Sequence, residues 1–506
     1  MNVMLAAALL FLAQVPGPQV LTFFSPVDDT DQPYGLYLPK DYNEAKKWPL
    51  VISLHGATSN HRLNLRRVFG QGNRAGESDS EATRYWPTMK DIDMIVATPL
   101  ARGTMGYQGI AEDDVYRVLD DVKKRFSIDE DRVYLTGLSM GGGGSLWLSL
   151  TKPDVWAAVA AVCPAPPLGT DALAGNALNL PVKLFQGDQD PLVPVAQTRR
   201  WAETFLKLGV RGEYVEYPGV RHNSWDKAYA DGSIFDWFAP LKRERDPERV
   251  RYLSANPRYR AAYWVELDSF TPGTLASIDA VRSGAAVEVS TANLDGFTLK
   301  RKVSRVVIDG QKLNAQSMSF TRVNGKWREG RAAAPSKWKG PISEVTAKRH
   351  IYVYGTADDP ATEELARRRA EAQGLTNWSI LPRQPLLLTL AAMADREVTE
   401  KELAQSNLVL LGDARTNSLI AKYAADLPLT LKPGAADYTL VTITRTRDRE
   451  IAVVTGKPIS FAPRPFTPNP LANDYVLLRA GETAASGFFT RDWKPTQTLP
   501  DVVEVH

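Results

Sequence analysis

The sequence predicts an α/β protein: an N-terminal domain built on a mostly parallel sheet, then a small antiparallel β module, then a C-terminal mixed α/β unit. Three observations predict it. Short apolar runs alternate with helical patterns from about residue 20 to 240. A charged, proline-bearing stretch, "LKRERDPERVR" (241–251), breaks that rhythm. Beyond it come short alternating runs, and the pattern changes again near residue 346. The expected divisions are 20–243, 250–340 and 346–506, preceded by a leader at 1–18.

Each element has its reason. "MNVMLAAALLFLAQVPG" (1–17) holds an apolar run too short to span a bilayer and long enough for the core of a signal peptide. Export to the periplasm or the medium is the expectation. "PLVISLHG" (49–56) and "DMIVATPL" (93–100) are nearly continuous apolar runs, as strands buried on both faces should be. In "AEDDVYRVLDDVKKRF", Val115, Val118, Leu119, Val122 and Phe126 recur at helical spacing. "RVYLTG" and "PVKLFQG" (181–187) supply two more strands. In the β module, Asp309-Gly310 and Asn324-Gly325 are hairpin turn pairs. In the last unit "HIYVYG" precedes the helical "PATEELARRRAEAQG", "NLVLLG" precedes "NSLIAKYAADL", and "YTLVTITR" and "EIAVVTG" read as paired strands.

Composition narrows the function. The chain has 506 residues, 44% hydrophobic and 24% charged, so it builds cores without staples. The net charge is only +3 and no basic tract stands out, so nucleic acid is not an expected partner. No segment beyond the leader is apolar enough for stable membrane insertion. The single cysteine, Cys163, excludes an internal disulfide and reads as a small buried apolar side chain. No histidine, cysteine or carboxylate cluster has metal-ligand spacing, so neither metal nor cofactor is expected. "GQGNRA" (70–75) matches a dinucleotide fingerprint but lacks the strand before it and the apolar helix after it.

One stretch carries chemistry. "YLTGLSMGGGGSLWLSL" (134–150) places Ser139 in a G-x-S-x-G pattern between a strand and a helix. Four consecutive glycines, Gly141–Gly144, are a costly way to begin a helix, at roughly 1 kcal/mol each relative to alanine. A sharp turn that thrusts a serine hydroxyl clear of the sheet explains that cost, because bulkier neighbours would collide with adjacent backbone. A serine nucleophile needs a base, and the base an orienting acid, in the order serine, acid, histidine. Of five histidines, His55, His61, His222, His350 and His506, only His222 follows Ser139 within the same unit. Its acid should end a strand between them, where "LFQGDQDPLVP" offers Asp190 and its competitor Asp188. Asp358 in "VYGTADDP" sits in a similar context but has only the terminal His506 after it, so it reads as a turn or cap residue. The oxyanion donors should be the N–H of Met140 and that of Ala57, or else Gly56, after "SLHG". His55 itself is expected to be structural. Gly56, Tyr107 and Trp225 are the pocket candidates, Tyr107 and Trp225 as platforms for an aromatic or sugar group. The alternative for Trp225 is packing beneath the histidine loop.

The segments "LHGATSN", "ATPLARGTMGYQGIAEDDV", "IDEDRVYLTGLSMGGGGSLW", "FQGDQDPLVPV" and "GVRHNSWDKAY" resemble, in order and spacing, the α/β-hydrolase superfamily. The resemblance covers roughly residues 25 to 240 and is closest to secreted esterases of the feruloyl esterase and polyhydroxybutyrate depolymerase type. These are related to the catalytic domain of prolyl oligopeptidase. It implies Ser139 as nucleophile, Asp190 as acid, His222 as base, and Ala57 with Met140 as oxyanion donors. Many of these relatives carry an aromatic residue among the glycines after the serine, where this chain has none, and secreted ones often carry disulfides. The implied activity is hydrolysis of carboxylic esters through an acyl-enzyme, on a small-molecule or polymer-linked substrate. The alternatives are a prolyl oligopeptidase-like serine peptidase and an inactive polymer-binding protein.

Overall fold

The structure, a computed structural model, describes residues 15–506 except 272, 332–339, 379–386, 447–448 and 463–468. Most of the expected leader thus lies outside the described residues, and its last two positions already begin the first strand.

Eight strands form the N-terminal sheet: β1 (Gly17–Ser25), β2 (Thr30–Leu38), β3 (Trp48–Leu54), β4 (Ile95–Pro99), β5 (Ile128–Leu138), β6 (Ala158–Val162), β7 (Val182–Gly187) and β8 (Gly212–Tyr217). Their spatial order is β1-β2-β4-β3-β5-β6-β7-β8. β1, β2 and β4 pair antiparallel, and every pairing from β4 through β3 to β8 is parallel. The helices between them are α1 (His61–Val68), the short α2 (Asp79–Ala82), α3 (Ile110–Arg125), α4 (Met140–Thr151) and α5 (Val195–Lys207). This is the α/β-hydrolase architecture that the resemblance implies.

The apolar runs explain the layering. All seven residues of β3 are buried, because a central parallel strand is covered on both faces. Alternate residues feed two cores: Leu50 and Ile52 join Val115 and Val118 of α3, whereas Val51 joins Leu65 and Val68 of α1. The helix ends fit their charges. Asn60 caps α1 by accepting from the N–H groups of Arg62 and Leu63. α3 carries Glu112 and Asp113 in its first turn and Lys123, Lys124 and Arg125 in its last, matching its dipole.

Residues 249–329 form two five-stranded sheets. Asp309-Gly310 and Asn324-Gly325 make two-residue hairpins, with φ of 49° and 81° in the first and 50° and 77° in the second. The module is not wholly antiparallel, since Ala286–Val289 pairs parallel with Arg305–Ile308. Residues 350–487 carry a seven-stranded mixed sheet. Tyr438–Ile443 and Ile451–Thr455 run antiparallel within it, and the helix Thr362–Leu375 follows the strand His350–Tyr354. The expected helix in "NSLIAKYAADL" is only Ser418–Lys422, continued by a single 3-10 turn.

Candidate active site

β5 runs into α4 with one residue between them, Ser139. Its φ of 55° and ψ of −117° lie where a non-glycine residue is strained by about 1–3 kcal/mol. The surrounding backbone fixes this geometry. The Ser139 N–H donates to the Val162 carbonyl at 2.9 Å, and its own carbonyl accepts from Gly143 at 2.9 Å and Ala165 at 3.2 Å. The glycines make the approach of those chains feasible. A Cβ on Gly141 would lie 2.2 Å from the Leu54 carbonyl oxygen, on Gly142 2.4 Å from that of Val162, and on Gly143 2.0 Å from that of Ala165. One on Gly144 would lie 2.4 Å from the Tyr107 ring. The lost helix propensity is therefore offset by close packing of α4 onto β3, β6 and the segment after it.

The loops that leave the C-terminal ends of β7 and β8 meet this turn. His222 Nε2 lies 2.9 Å from Ser139 Oγ, and His222 Nδ1 lies 2.8 Å from Asp190 Oδ2. The Asp190 side chain is fully buried, and Oδ2 also accepts from Gln186 Nε2 at 2.9 Å. Its Oδ1 accepts from the Leu192 and Val193 N–H groups at 2.8 and 3.0 Å. Four donors thus fix this carboxylate, which orients the imidazole with Nδ1–H toward it and leaves Nε2 to accept from the serine. Asp188 goes elsewhere: its Oδ1 accepts from the Gly219 N–H at 2.7 Å and pins the turn leading to the histidine loop. Gly187 lets that loop cross, because a Cβ there would lie 2.3 Å from the Val220 carbonyl oxygen.

Gly56 lies two residues past the end of β3, beside the serine, and a Cβ on it would lie 3.5 Å from Ser139 Cβ. Ala57 follows, exposed. Thr58, with φ of 65°, anchors the loop by donating its N–H to Thr104 Oγ1 at 2.9 Å. Met140 is the first residue of α4, so its N–H has no acceptor within the helix. His55 is fully buried, with Nε2 2.8 Å from the Leu100 carbonyl and Nδ1 2.7 Å from that of Gly56, and burial pushes its pKa down. It braces the loop, as expected of a structural residue.

The three pocket candidates separate. A cavity of about 500 Å³ lies beside Met140 and Ala165, and Tyr107 lines it. The Tyr107 hydroxyl donates to the His55 carbonyl at 2.9 Å. Gly56 and Trp225 do not line this cavity. Trp225 stands edge-on to His222, with ring centroids 5.4 Å apart at 90°, and the Arg67 guanidinium lies over the Trp225 ring. Its ring braces the imidazole, which is the packing alternative given above.

Sequence reasoning missed one neighbour. Cys163, at the end of β6 with φ of 38°, is buried against the histidine. Its Sγ, an Asp190 oxygen and a His222 nitrogen lie within 4.8 Å of one another, the single group with metal-ligand spacing among the described residues. Burial pushes the thiol up to about 12, so it stays protonated near neutrality and is a poor ligand. The signal was available: Cys163 ends the strand between those leading to Ser139 and Asp190, and strand ends on one edge of a parallel sheet converge.

Comparison with known proteins finds similarity to esterases. Residues 111–235 match the family described as phospholipase/carboxylesterase. Cutinase 1 of Thermobifida cellulosilytica is 30% identical over 141 residues, which are 26% of this chain and 50% of that protein. The bifunctional acetylxylan esterase/xylanase XynS20E of Neocallimastix patriciarum is 26% identical over 179 residues, covering 34% of this chain and 23% of its own. The chain spans half or less of the length of these curated relatives. Among solved structures, a ferulic acid esterase, AmCE1/Fae1A from Anaeromyces mucronatus, has 20% identity and a TM-score of 0.34, covering 44% of this chain and 89% of its own. The family match lies wholly within the N-terminal unit.

Proposed function

We propose that this chain is a serine hydrolase of carboxylic esters, with Ser139, His222 and Asp190 as its triad. His222 Nε2 takes the proton from Ser139 Oγ as the oxygen attacks the acyl carbon. The carbonyl oxygen becomes an oxyanion and receives the N–H groups of Met140 and Ala57. The imidazolium, held by Asp190, then protonates the departing alkoxide, and an acyl-serine ester remains. Water enters where the alcohol left, gives a proton to His222 and attacks the acyl carbon. Collapse of the second oxyanion frees the carboxylic acid and returns the proton to Ser139. No other group is required for the proton or charge balance of these steps.

One observation carries this reading: an unbroken line of bonds from Ser139 Oγ through the imidazole to a buried, fourfold-bonded carboxylate, at 2.9 and 2.8 Å, on a strained turn. Ester-linked polymers and small esters are both candidate substrates, and the relatives named cutinase and acetylxylan esterase support the ester reading. A fluorophosphonate probe should label Ser139 and no other residue, and a nitrophenyl ester should be hydrolysed faster than a proline-containing peptide amide. Absence of labelling in the folded protein would favour a binding protein. Cleavage of the amide alone would favour a peptidase.

A further inference from the structure

The cavity beside Met140 is not built by the N-terminal unit alone. Its inner wall is Met140, Ala165 and Tyr107. Its outer wall is Leu253 and Leu275 of the β module with Trp378 and Phe488 of the C-terminal unit. These walls are tied together. Gly273 of the β module, with φ of 73°, seats Phe488 so closely that a Cβ there would lie 2.5 Å from the ring. Arg258 of the β module donates to Asp113 at the start of α3 at 2.5 Å and, at 3.4 Å, to Glu344 in the short helix Ile342–Thr346 that leads into the C-terminal unit. Tyr259 donates to the buried Glu112 at 2.6 Å.

We infer that this cavity receives the acyl part of the substrate, and that the two appended units thereby select a bulky, largely apolar acyl group. The inference rests on the reading of Ser139 as nucleophile. Chemistry assigns the side. The leaving alkoxide must reach His222 Nε2 to be protonated, so the alcohol part lies beside His222. The cavity starts instead at Met140, the residue after Ser139, and none of Ser139, His222 and Trp225 lines it. The acyl chain is the part left to occupy it. Size and lining assign the class. A space of about 500 Å³ is far larger than an acetyl group needs and falls in the range of pockets that bury drug-sized ligands. Its strongest polar wall groups are already engaged, since Asn256 Nδ2 donates to Glu344 Oε1 at 2.6 Å and Arg258 covers the other carboxylate oxygen. What faces the substrate is mainly aromatic and aliphatic.

The test uses the full chain. The wild type should prefer p-nitrophenyl octanoate to the acetate by at least about tenfold in kcat/KM, mostly through KM. Leu275→Trp, at a half-buried position, should fill the cavity and abolish that preference, mostly by raising KM for the octanoate. Phe488→Ala should weaken it through a raised KM for the octanoate. Equal handling of the two esters by the wild type, or a preference unmoved in both variants, overturns the inference. Fluorophosphonate labelling of the same samples reports on the nucleophile separately. Binding of octanoate to the Ser139→Ala protein by calorimetry reads the cavity without catalysis: it should be present there and lost on adding Leu275→Trp, and binding that survives this second change places the acyl group elsewhere.

Discussion

Two strand ends in this molecule share a local grammar and differ in outcome. "LFQGDQDP" ends β7, and "VYGTADDP" ends the strand His350–Tyr354. Each has a glycine that a crossing loop overlies: a Cβ on Gly187 would lie 2.3 Å from the Val220 carbonyl oxygen, and one on Gly355 2.1 Å from that of Thr416. Each has an aspartate three residues on, Asp190 and Asp358. At the first, the crossing loop delivers His222 to Asp190. At the second, Asp358 makes a two-pronged pair with Arg368 on the following helix, at 2.8 Å for both contacts. There Asp395 occupies the crevice and accepts from the Thr356 and Ser418 N–H groups at 3.0 and 2.7 Å. The difference teaches that a strand-end aspartate acquires its role from what a distant loop brings to it.

The sharpest way to break this comparison is kinetic. Ser139→Ala should lower kcat for a nitrophenyl ester by about 10⁵-fold or more, and Asp190→Asn by about 10⁴-fold. Asp358→Asn should leave kcat within about twofold, because its carboxylate pairs only at the surface. A comparable loss from Asp358→Asn would erase the distinction between the two ends. Asp188→Asn sharpens it further: it should cost only a few-fold, by loosening the turn at Gly219.

Stability separates the units next. Gly143→Ala should destabilise by about 1–3 kcal/mol or more, since the new methyl meets a backbone oxygen at 2.0 Å. Gly374→Ala, inside the C-terminal unit's helix with nothing near its would-be Cβ, should stabilise by about 0.5–1 kcal/mol. Thermal melting of both variants reads the contrast directly, and a destabilised Gly374→Ala would contradict it.

The smallest effect concerns pH. His350 is buried beside Trp378, and burial pushes its pKa down to about 4 from an ordinary 6.5. Between those values the unfolded chain binds a proton that the folded one does not. Stability is therefore complete above pH 6.5 and falls as pH drops toward 4, by up to about 3 kcal/mol. His61 of the N-terminal unit, also pushed to about 4 by burial, adds a loss of the same sign. Asp114, raised to about 6 by burial, opposes both below pH 6. Urea midpoints at pH 7.5 and 5.0 should converge in His350→Phe relative to the wild type, and an unchanged difference would assign the slope to other groups.

Much of the N-terminal unit was legible because its signals are local. The apolar run of β3, the capped helices and the glycines around Ser139 each follow from neighbours within a few residues. His222 needed only chain order and scarcity. The resemblance already points to Asp190 rather than Asp188; what needed three dimensions is the pair of N–H groups, of Leu192 and Val193, that hold its carboxylate. Trp225 lay in the right loop, and its packing against His222 rather than the cavity depends on side-chain direction. Cys163 was legible in principle from its strand end between those of Ser139 and Asp190. The outer cavity wall was not, because its residues come from units far away in the chain, and no periodicity records those contacts.

The tie between Glu112 and the β module limits how this molecule can be divided. The Glu112 carboxylate is completely enclosed and relies on the Tyr259 hydroxyl and the Trp147 indole at 2.6 and 3.0 Å. Excising everything after residue 243 would discard the Tyr259 hydroxyl and the Arg258 guanidinium that face this carboxylate, and the Tyr259 ring that packs edge-on against Trp147. A recombinant catalytic fragment would therefore present to water an acid and an indole, Glu112 and Trp147, that the full chain keeps covered.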